Sequence, residues 1–200
     1  MKLSTLFYNL THISYTHLEN GLDYATRNLG DTLYIYFQDS DGALDWKNNL
    51  DFPAKCHGLF FAHRGFLGIW ESAQPLLKNE ILDTRYRKIV ISGYSHGAAL
   101  AVLCHEYAYK MRPDIRDEIV GYGFGCPRVL WGIKTKAHRE IWKNFTVIKN
   151  VDDLVTHLPP ALLGYFHVGK ILKIGEKGNY SKIDAHRPEN YTKELAEFNL

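Results

Sequence analysis

A serine set between two glycines, Gly93, Ser95 and Gly97, limits the fold more than any other feature of this chain. An apolar run rich in β-branched residues, 88–92, precedes it and an alanine-rich run, 98–103, follows it, so the order is strand, tight turn, helix. Such a turn holds the serine in a strained backbone conformation, and a side chain at either glycine position would collide with the neighbouring strand or helix. The pattern predicts a nucleophile elbow with the serine hydroxyl on an exposed turn at the top of a sheet.

Strand and helix patterns alternate along the rest of the chain. Periodicity predicts strands at 32–37, 58–62, 118–124, 145–149 and 168–174, an amphipathic segment ending near 79, and helices at 134–143 and 188–198. The helix after the serine should run to Met111, because Pro113 stops it, and one or two leading helices are expected within 3–27. We therefore expect an α/β fold in three layers, a mostly parallel central sheet with helices on both faces, as one domain over residues 1–200.

Composition limits which partners and which cellular compartment are expected for this chain. The net charge is +2 and no block of five like charges occurs, so nucleic acid is not expected as a partner. The three cysteines, Cys56, Cys104 and Cys126, form no Cys-x-x-Cys pair, and Cys104 fits a buried free thiol. The N-terminal segment lacks a signal-peptide pattern, and no run approaches the roughly 18 apolar residues of a membrane span. These features predict a cytoplasmic location without stable membrane insertion.

A serine hydroxyl becomes a nucleophile only beside a general base that is itself held by a carboxylate. Asp152 and Asp153 both follow the predicted strand at 145–149, where a triad acid would stand. The histidines further along the chain are His157, His167 and His186. The residues alone leave both choices open.

Several segments together resemble the class 3 lipases, the family of the fungal triacylglycerol lipases. The segments are Gly-Tyr-Ser-His-Gly-Ala-Ala-Leu from position 93, Phe-Gly-Cys-Pro-Arg-Val from 124, Asp-Leu-Val-Thr-His-Leu-Pro from 153, Phe-Gln-Asp-Ser from 37 with Trp46 and Asn49-Leu50, and His-x-Gly-Phe from 63. They occur in the family's order, and the resemblance covers residues 30–195.

The resemblance implies an α/β-hydrolase fold and a serine carboxylic-ester hydrolase that uses a Ser-His-Asp triad, an acyl-enzyme intermediate and no cofactor. It implies that Ser95 is the nucleophile and Asp153 the triad acid. It assigns the base to His186, because the family's catalytic histidine precedes a tyrosine and a final helix. It also places the backbone N–H and hydroxyl of Ser40 and the backbone N–H of His96 in the oxyanion hole.

Some positions depart from the family pattern. Tyr94 stands where histidine is usual, His96 where an apolar residue is usual, and Gln38-Asp39 where arginine-glycine is common. We expect side chains there to shape the pocket floor and the oxyanion loop, which alters substrate preference while the backbone donors remain.

Segment 41–50 occupies the place of the family's lid, and its apolar face is narrow. This favours an esterase or monoacyl-lipid hydrolase over a potent triacylglycerol lipase, with at most transient contact with a lipid surface. The alternatives are a phospholipid or thioester hydrolase and a catalytically silent hydrolase-fold binding protein. No metal is expected, because the acidic residues at 39, 41 and 45 lack the alternation of a calcium loop.

Overall fold

A seven-stranded sheet forms the centre of the molecule, and a separate four-stranded sheet lies beside it. The computed structural model describes residues 2–18, 21–39, 53–58 and 60–198. The strands are β1 (Thr16–His17), β2 (Leu22–Leu29), β3 (Thr32–Asp39), β4 (Ala54–His57), β5 (Phe60–His63), β6 (Lys88–Tyr94), β7 (Ile119–Phe124), β8 (Leu130–Trp131), β9 (Phe145–Asn150), β10 (Tyr165–Phe166) and β11 (Lys170–Ile174). The helices are α1 (Leu3–His12), α2 (Arg64–Leu82), α3 (His96–Met111), α4 (Lys136–Ile141) and α5 (Pro188–Glu197), with short 3₁₀ turns at Val155–His157, Ala161–Leu163 and Asp184–His186.

The central sheet is parallel over most of its width. Its spatial order is β1-β2-β3-β6-β7-β9-β11, with β3 to β11 parallel and β1 and β2 joined to β3 in antiparallel fashion. Strand β6 is buried almost throughout, as a strand covered on both faces requires. Parallel strands bring their carboxyl ends to one edge, where the serine turn after β6 and the loop after β9 lie together.

Helices cover both faces of this sheet. On one face α2 and α3 enclose a core that contains Trp70, Leu100 and Phe145. On the other face α1 and α5 enclose a second core around Phe7 and Tyr191. The predicted three-layer α/β arrangement is therefore confirmed.

The prediction of one or two helices within residues 3–27 is wrong beyond His12. Strand β2 instead pairs with β3 along its whole length, and the two strands are joined by the two-residue loop Gly30-Asp31. Gly30 has a φ of +61°, which suits glycine at the first position of a tight hairpin loop. Leu22 continues the helical spacing of the apolar residues before it, but it lies in a strand here because the long strand β3 pairs with this segment.

The four-stranded sheet has the order β10-β8-β5-β4 and is entirely antiparallel. Of its strands, only β5 corresponds to a predicted strand, the one at 58–62. Strands of two to four residues carry too little alternation to be read from sequence. Within the described ranges, no helix is long and apolar enough to cross a membrane.

Candidate active site

Ser95 occupies a strained turn between β6 and α3. Its φ is 56° and its ψ −122°, and no other described residue besides glycine has a positive φ. Its backbone N–H donates to the carbonyl of Phe124 at 2.9 Å, which ties the turn to the end of β7. The strained elbow conformation predicted from sequence is present. The expected exposed hydroxyl is not, because Ser95 is fully buried in this structure.

The glycines on either side of Ser95 are required by close backbone contacts. A Cβ at Gly93 would lie 2.1 Å from the carbonyl oxygen of Gly97, inside the first turn of α3. A Cβ at Gly97 would lie 2.3 Å from the carbonyl oxygen of Phe37 in β3. The predicted collisions with helix and strand are thus both found, and no side chain fits at either position.

Three side chains from separate elements form one hydrogen-bonded chain. Nε2 of His186 lies 2.7 Å from Oγ of Ser95, and Nδ1 of His186 lies 2.8 Å from Oδ2 of Asp153. The serine follows β6, the aspartate follows β9, and the histidine ends a 3₁₀ turn just before α5. This is the geometry in which a histidine can take the serine proton while a carboxylate fixes its tautomer.

The carboxylate of Asp153 is fully buried. Besides His186, two donors bond to it directly, and a third donor bonds to the tyrosine that supplies one of them. The hydroxyl of Tyr191 donates to Oδ2 at 2.7 Å, and the N–H of Val155 donates to Oδ1 at 2.8 Å. The N–H of Asn150 in turn donates to the Tyr191 oxygen at 3.0 Å. Burial and the charge of Asp153 raise the pKa of Tyr191 well above its ordinary value, so the phenol stays a donor. These bonds offset the cost of burying the charge.

The imidazole of His186 rests on the ring of Tyr94. The two rings are stacked with centroids 5.3 Å apart and planes 18° apart, and the Tyr94 hydroxyl donates to the carbonyl of His186. Tyr94 therefore supports the histidine through its ring and its hydroxyl. Gly125, with a φ of +59°, leaves room for the ring, since a Cβ there would lie 2.8 Å from Cε1 of His186. Sequence reasoning missed both supporting roles.

The alternative acid, Asp152, is engaged elsewhere. Its Oδ2 accepts the N–H of Gly178 at 2.8 Å and that of Tyr180 at 3.3 Å, which fastens the loop after β11. The structure thus brings Asp153, and not Asp152, to the histidine.

The alternative histidines also have other partners. Nε2 of His167 contacts the carbonyl of Thr156 at 2.8 Å, and burial lowers the pKa of His167 to about 4. Nε2 of His157 lies 3.2 Å from Nζ of Lys149. Neither histidine is joined to Ser95 by a hydrogen bond.

Of the two residues predicted to supply oxyanion donors, the structure describes His96. His96 is the first residue of α3, where the backbone N–H groups of the first turn have no acceptor within the helix. Its ring lies 5.4 Å from that of Phe66, and burial with the nearby His63 lowers the pKa of His96 to about 4. Ser40 and the predicted lid segment 41–50 lie outside the described residues.

The comparisons with known proteins agree on one family. The family described as Lipase (class 3) matches residues 34–163. The chain is 29% identical to a lipase of Rhizomucor miehei over 149 residues, which is 70% of this chain and 40% of that protein. It is 26% identical over 158 residues to the secreted mono- and diacylglycerol lipase 1 of Fusarium solani, 72% of this chain and 44% of that protein. The chain thus spans less than half the length of either relative.

The fold agrees with this comparison. A solved structure described as a triacylglycerol lipase whose catalytic centre is a serine protease triad superimposes with a TM-score of 0.71. The match covers 82% of this chain and 66% of that one, at 25% sequence identity.

Proposed function

Because this chain belongs to the class 3 lipase family, we propose that it is a serine carboxylic-ester hydrolase that acts on acyl esters or lipids. The observation that carries the proposal is the hydrogen-bonded chain from Ser95 through His186 to Asp153, with contacts of 2.7 and 2.8 Å. A catalytically silent binding protein would have no need of a buried carboxylate, a stacked imidazole and a strained serine in one line.

The reaction we propose has two halves. Oγ of Ser95 attacks the ester carbonyl while Nε2 of His186 takes its proton, and Asp153 stabilises the imidazolium through Nδ1. The tetrahedral intermediate collapses, the alcohol leaves with the proton from Nε2, and an acyl-serine remains. Water then gives a proton to His186 and attacks the acyl carbon, which releases the carboxylic acid and restores Ser95.

The negative oxygen of the intermediate needs donors that are in place before the reaction. The start of α3 directly after Ser95 supports the backbone N–H of His96 as one donor. The N–H and hydroxyl of Ser40 remain predictions for the second. The elbow glycines Gly93 and Gly97 allow this arrangement, because without their side chains α3 can start against the end of β3.

For the substrate we propose small acyl lipids or simple esters. The Fusarium solani relative is named for mono- and diacylglycerols, which supports partial acylglycerols over triacylglycerols. Leu162 is fully exposed and Leu163 is 53% exposed on the 3₁₀ turn after the Asp153 loop, which supports transient contact with a lipid surface. A phospholipid or thioester remains the alternative substrate.

We also keep the cytoplasmic location as a proposal. All three cysteines are free thiols, and burial raises the pKa of Cys104 and Cys126. This supports a reducing compartment, since nothing here depends on a disulfide. Fractionation of cells that express the chain under its own promoter tests the location.

A fluorophosphonate probe tests the function. An activated serine attacks the phosphorus and expels fluoride, so the intact protein should gain the mass of one probe less one hydrogen fluoride at Ser95, whereas Ser95→Ala should gain none. A silent hydrolase-fold protein would stay unlabelled and would contradict the proposal. Hydrolysis rates over p-nitrophenyl esters from acetate to palmitate, with and without micelles, then separate an esterase from a lipase.

A further inference from the structure

Four basic side chains gather beside the loop that carries Asp153. We call Arg128, Lys149, His157 and Lys173 the basic cluster. Lys149, on β9, is only 8% exposed, and its Nζ lies 3.2 Å from Nε2 of His157. Lys173 is its neighbour in register on the parallel strand β11, so both lysines leave the same face of the sheet.

Arg128 joins the cluster to the loop. Its guanidinium Nη1 donates to the carbonyl of His157 and, at 2.8 Å, to the carbonyl of Pro159. In the part of the chain that the structure describes, all side-chain hydrogen bonds of Arg128 are made by Nη1, which leaves the other guanidinium N–H groups for a ligand. The guanidinium is thereby fixed beside His157, whose side chain is exposed.

Within the described residues, no carboxylate forms an ion pair with the lysines or the arginine of the basic cluster. Burial lowers the pKa of Lys149, and the charges of Arg128 and Lys173 lower it further, whereas Asp153 opposes them with a smaller effect. Asp153 is already held by His186 and other donors, so it does not neutralise the cluster.

Elsewhere this protein compensates a buried cation thoroughly. Arg112 is 3% exposed, and it donates to the carboxylate of Asp114 and to the carbonyls of Ile81, Asp83 and Tyr86. A covered ammonium among like charges, with a single imidazole partner, is costly unless an anion completes the site.

We propose that the basic cluster binds a phosphate group. Phosphate fits because a planar guanidinium with unused N–H groups, an ammonium and an imidazole present several donors to one tetrahedral anion. His157 is exposed and lies 3.2 Å from Nζ of Lys149, so an anion that binds beside its ring can also contact Lys149. Two sources share this chemistry, inorganic phosphate and the headgroup of an anionic phospholipid. The exposed Leu162 and Leu163, a few residues along the same loop, are compatible with the second source.

Inorganic phosphate is the first probe, titrated by calorimetry at constant ionic strength with chloride as the reference salt. We expect saturable binding with a dissociation constant on the order of 1 mM. Lys149→Met should weaken it about tenfold and Lys173→Gln about threefold. Lys78→Met, which removes one charge from an exposed position on α2, is the matched control and should bind like the parent.

Thermal unfolding shows whether the variants are folded. Removing an uncompensated charge should leave the melting temperature of Lys149→Met at or above that of the parent in phosphate-free buffer. Phosphate should raise the melting temperature of the parent and of Lys78→Met more than that of Lys149→Met. The proposal is wrong if phosphate binds no better than chloride, or if a folded Lys149→Met binds as well as the parent.

Vesicle sedimentation distinguishes the two sources. Vesicles of phosphatidylcholine alone are compared with vesicles that also contain phosphatidylglycerol, using the parent, Lys149→Met and Lys78→Met. Lys149-dependent sedimentation with phosphatidylglycerol identifies a lipid headgroup, and phosphate binding without sedimentation identifies the free ion. All these readouts measure binding, so they are independent of whether the proposed hydrolase activity exists.

Discussion

The hydroxyl of Ser95 is committed to Nε2 of His186, 2.7 Å away. We expect Ser95→Ala to lower the turnover of an ester by about a millionfold, as triad knockouts do. The fold should persist, because the change removes one oxygen and leaves the Cβ and the backbone in place. Ester hydrolysis and far-UV circular dichroism check this, and activity within about tenfold of the parent would contradict the serine mechanism.

The histidines offer an internal comparison. His186→Ala should lose nearly as much turnover as Ser95→Ala, because members of a triad act as a unit. His167→Ala and His157→Ala should keep most of the rate, since their rings contact Thr156 and Lys149 and not Ser95. The same ester assay measures all three. An inactive His167→Ala beside an active His186→Ala would reverse the assignment.

Tyr94 is expected to act through the histidine that it supports. Its electron-rich face, stacked 5.3 Å from the His186 ring, stabilises an imidazolium over a neutral ring. Tyr94→Leu should therefore lower kcat about tenfold at unchanged KM, because the imidazolium that forms during the reaction loses this support. Tyr94→Phe keeps the ring and should lower kcat only about threefold.

The control is Tyr86→Leu, which removes another buried tyrosine ring, from the core on the opposite face of the sheet. It should change stability without lowering kcat. An equal loss of kcat in both leucine variants would assign Tyr94 a packing role only.

At the scale of elements, the crossing of α3 over the end of β3 depends on Gly97. Gly97→Ala should destabilise the fold by roughly 3 kcal/mol or more, because the new Cβ meets the Phe37 carbonyl, a backbone atom that cannot move aside. Gly68→Ala in α2 has open space around the Cβ and should stabilise by roughly 0.5–1 kcal/mol. Urea unfolding of the two variants measures both signs, and equal midpoints would contradict the packing argument.

The elements that sequence predicts well are those whose signal is local. Strand β6 and helix α3 follow from an apolar run, a glycine-flanked serine and an alanine-rich run, and Pro113 ends the helix as expected. Strand β2 could not be predicted in the same way. The spacing of its leucines also fits a helix, and only the pairing with β3 makes this segment a strand. The supporting roles of Tyr94 and Gly125 could not be predicted either, because they depend on where the fold places His186.

At the scale of the molecule, the two ends of the described chain meet beneath the candidate site. Phe7 of α1 lies against Tyr94, Phe124 and Tyr191, with ring centroids 5.6, 4.8 and 5.9 Å away. Helices α1 and α5 share this core, which supports our proposal that residues 1–200 form one domain.

The same contact gives a whole-molecule prediction. Phe7→Ala should cost roughly 3–5 kcal/mol of unfolding free energy, because its fully buried ring leaves a cavity. It should also lower kcat, since the cavity lies under Tyr94 and Tyr191, which hold the histidine and the aspartate. Chemical denaturation and ester kinetics measure the two effects. An unstable variant with unchanged kcat would show that α1 does not support the site.

The chain separation of the serine and its histidine has a consequence during synthesis. Ser95 and His186 are 91 residues apart, with Asp153 between them, so the ribosome makes the serine long before its base. A nascent chain that has passed the elbow therefore holds an ordinary alcohol with no neighbour to take its proton. The proposed hydrolase activity would therefore remain off until synthesis has passed residue 186.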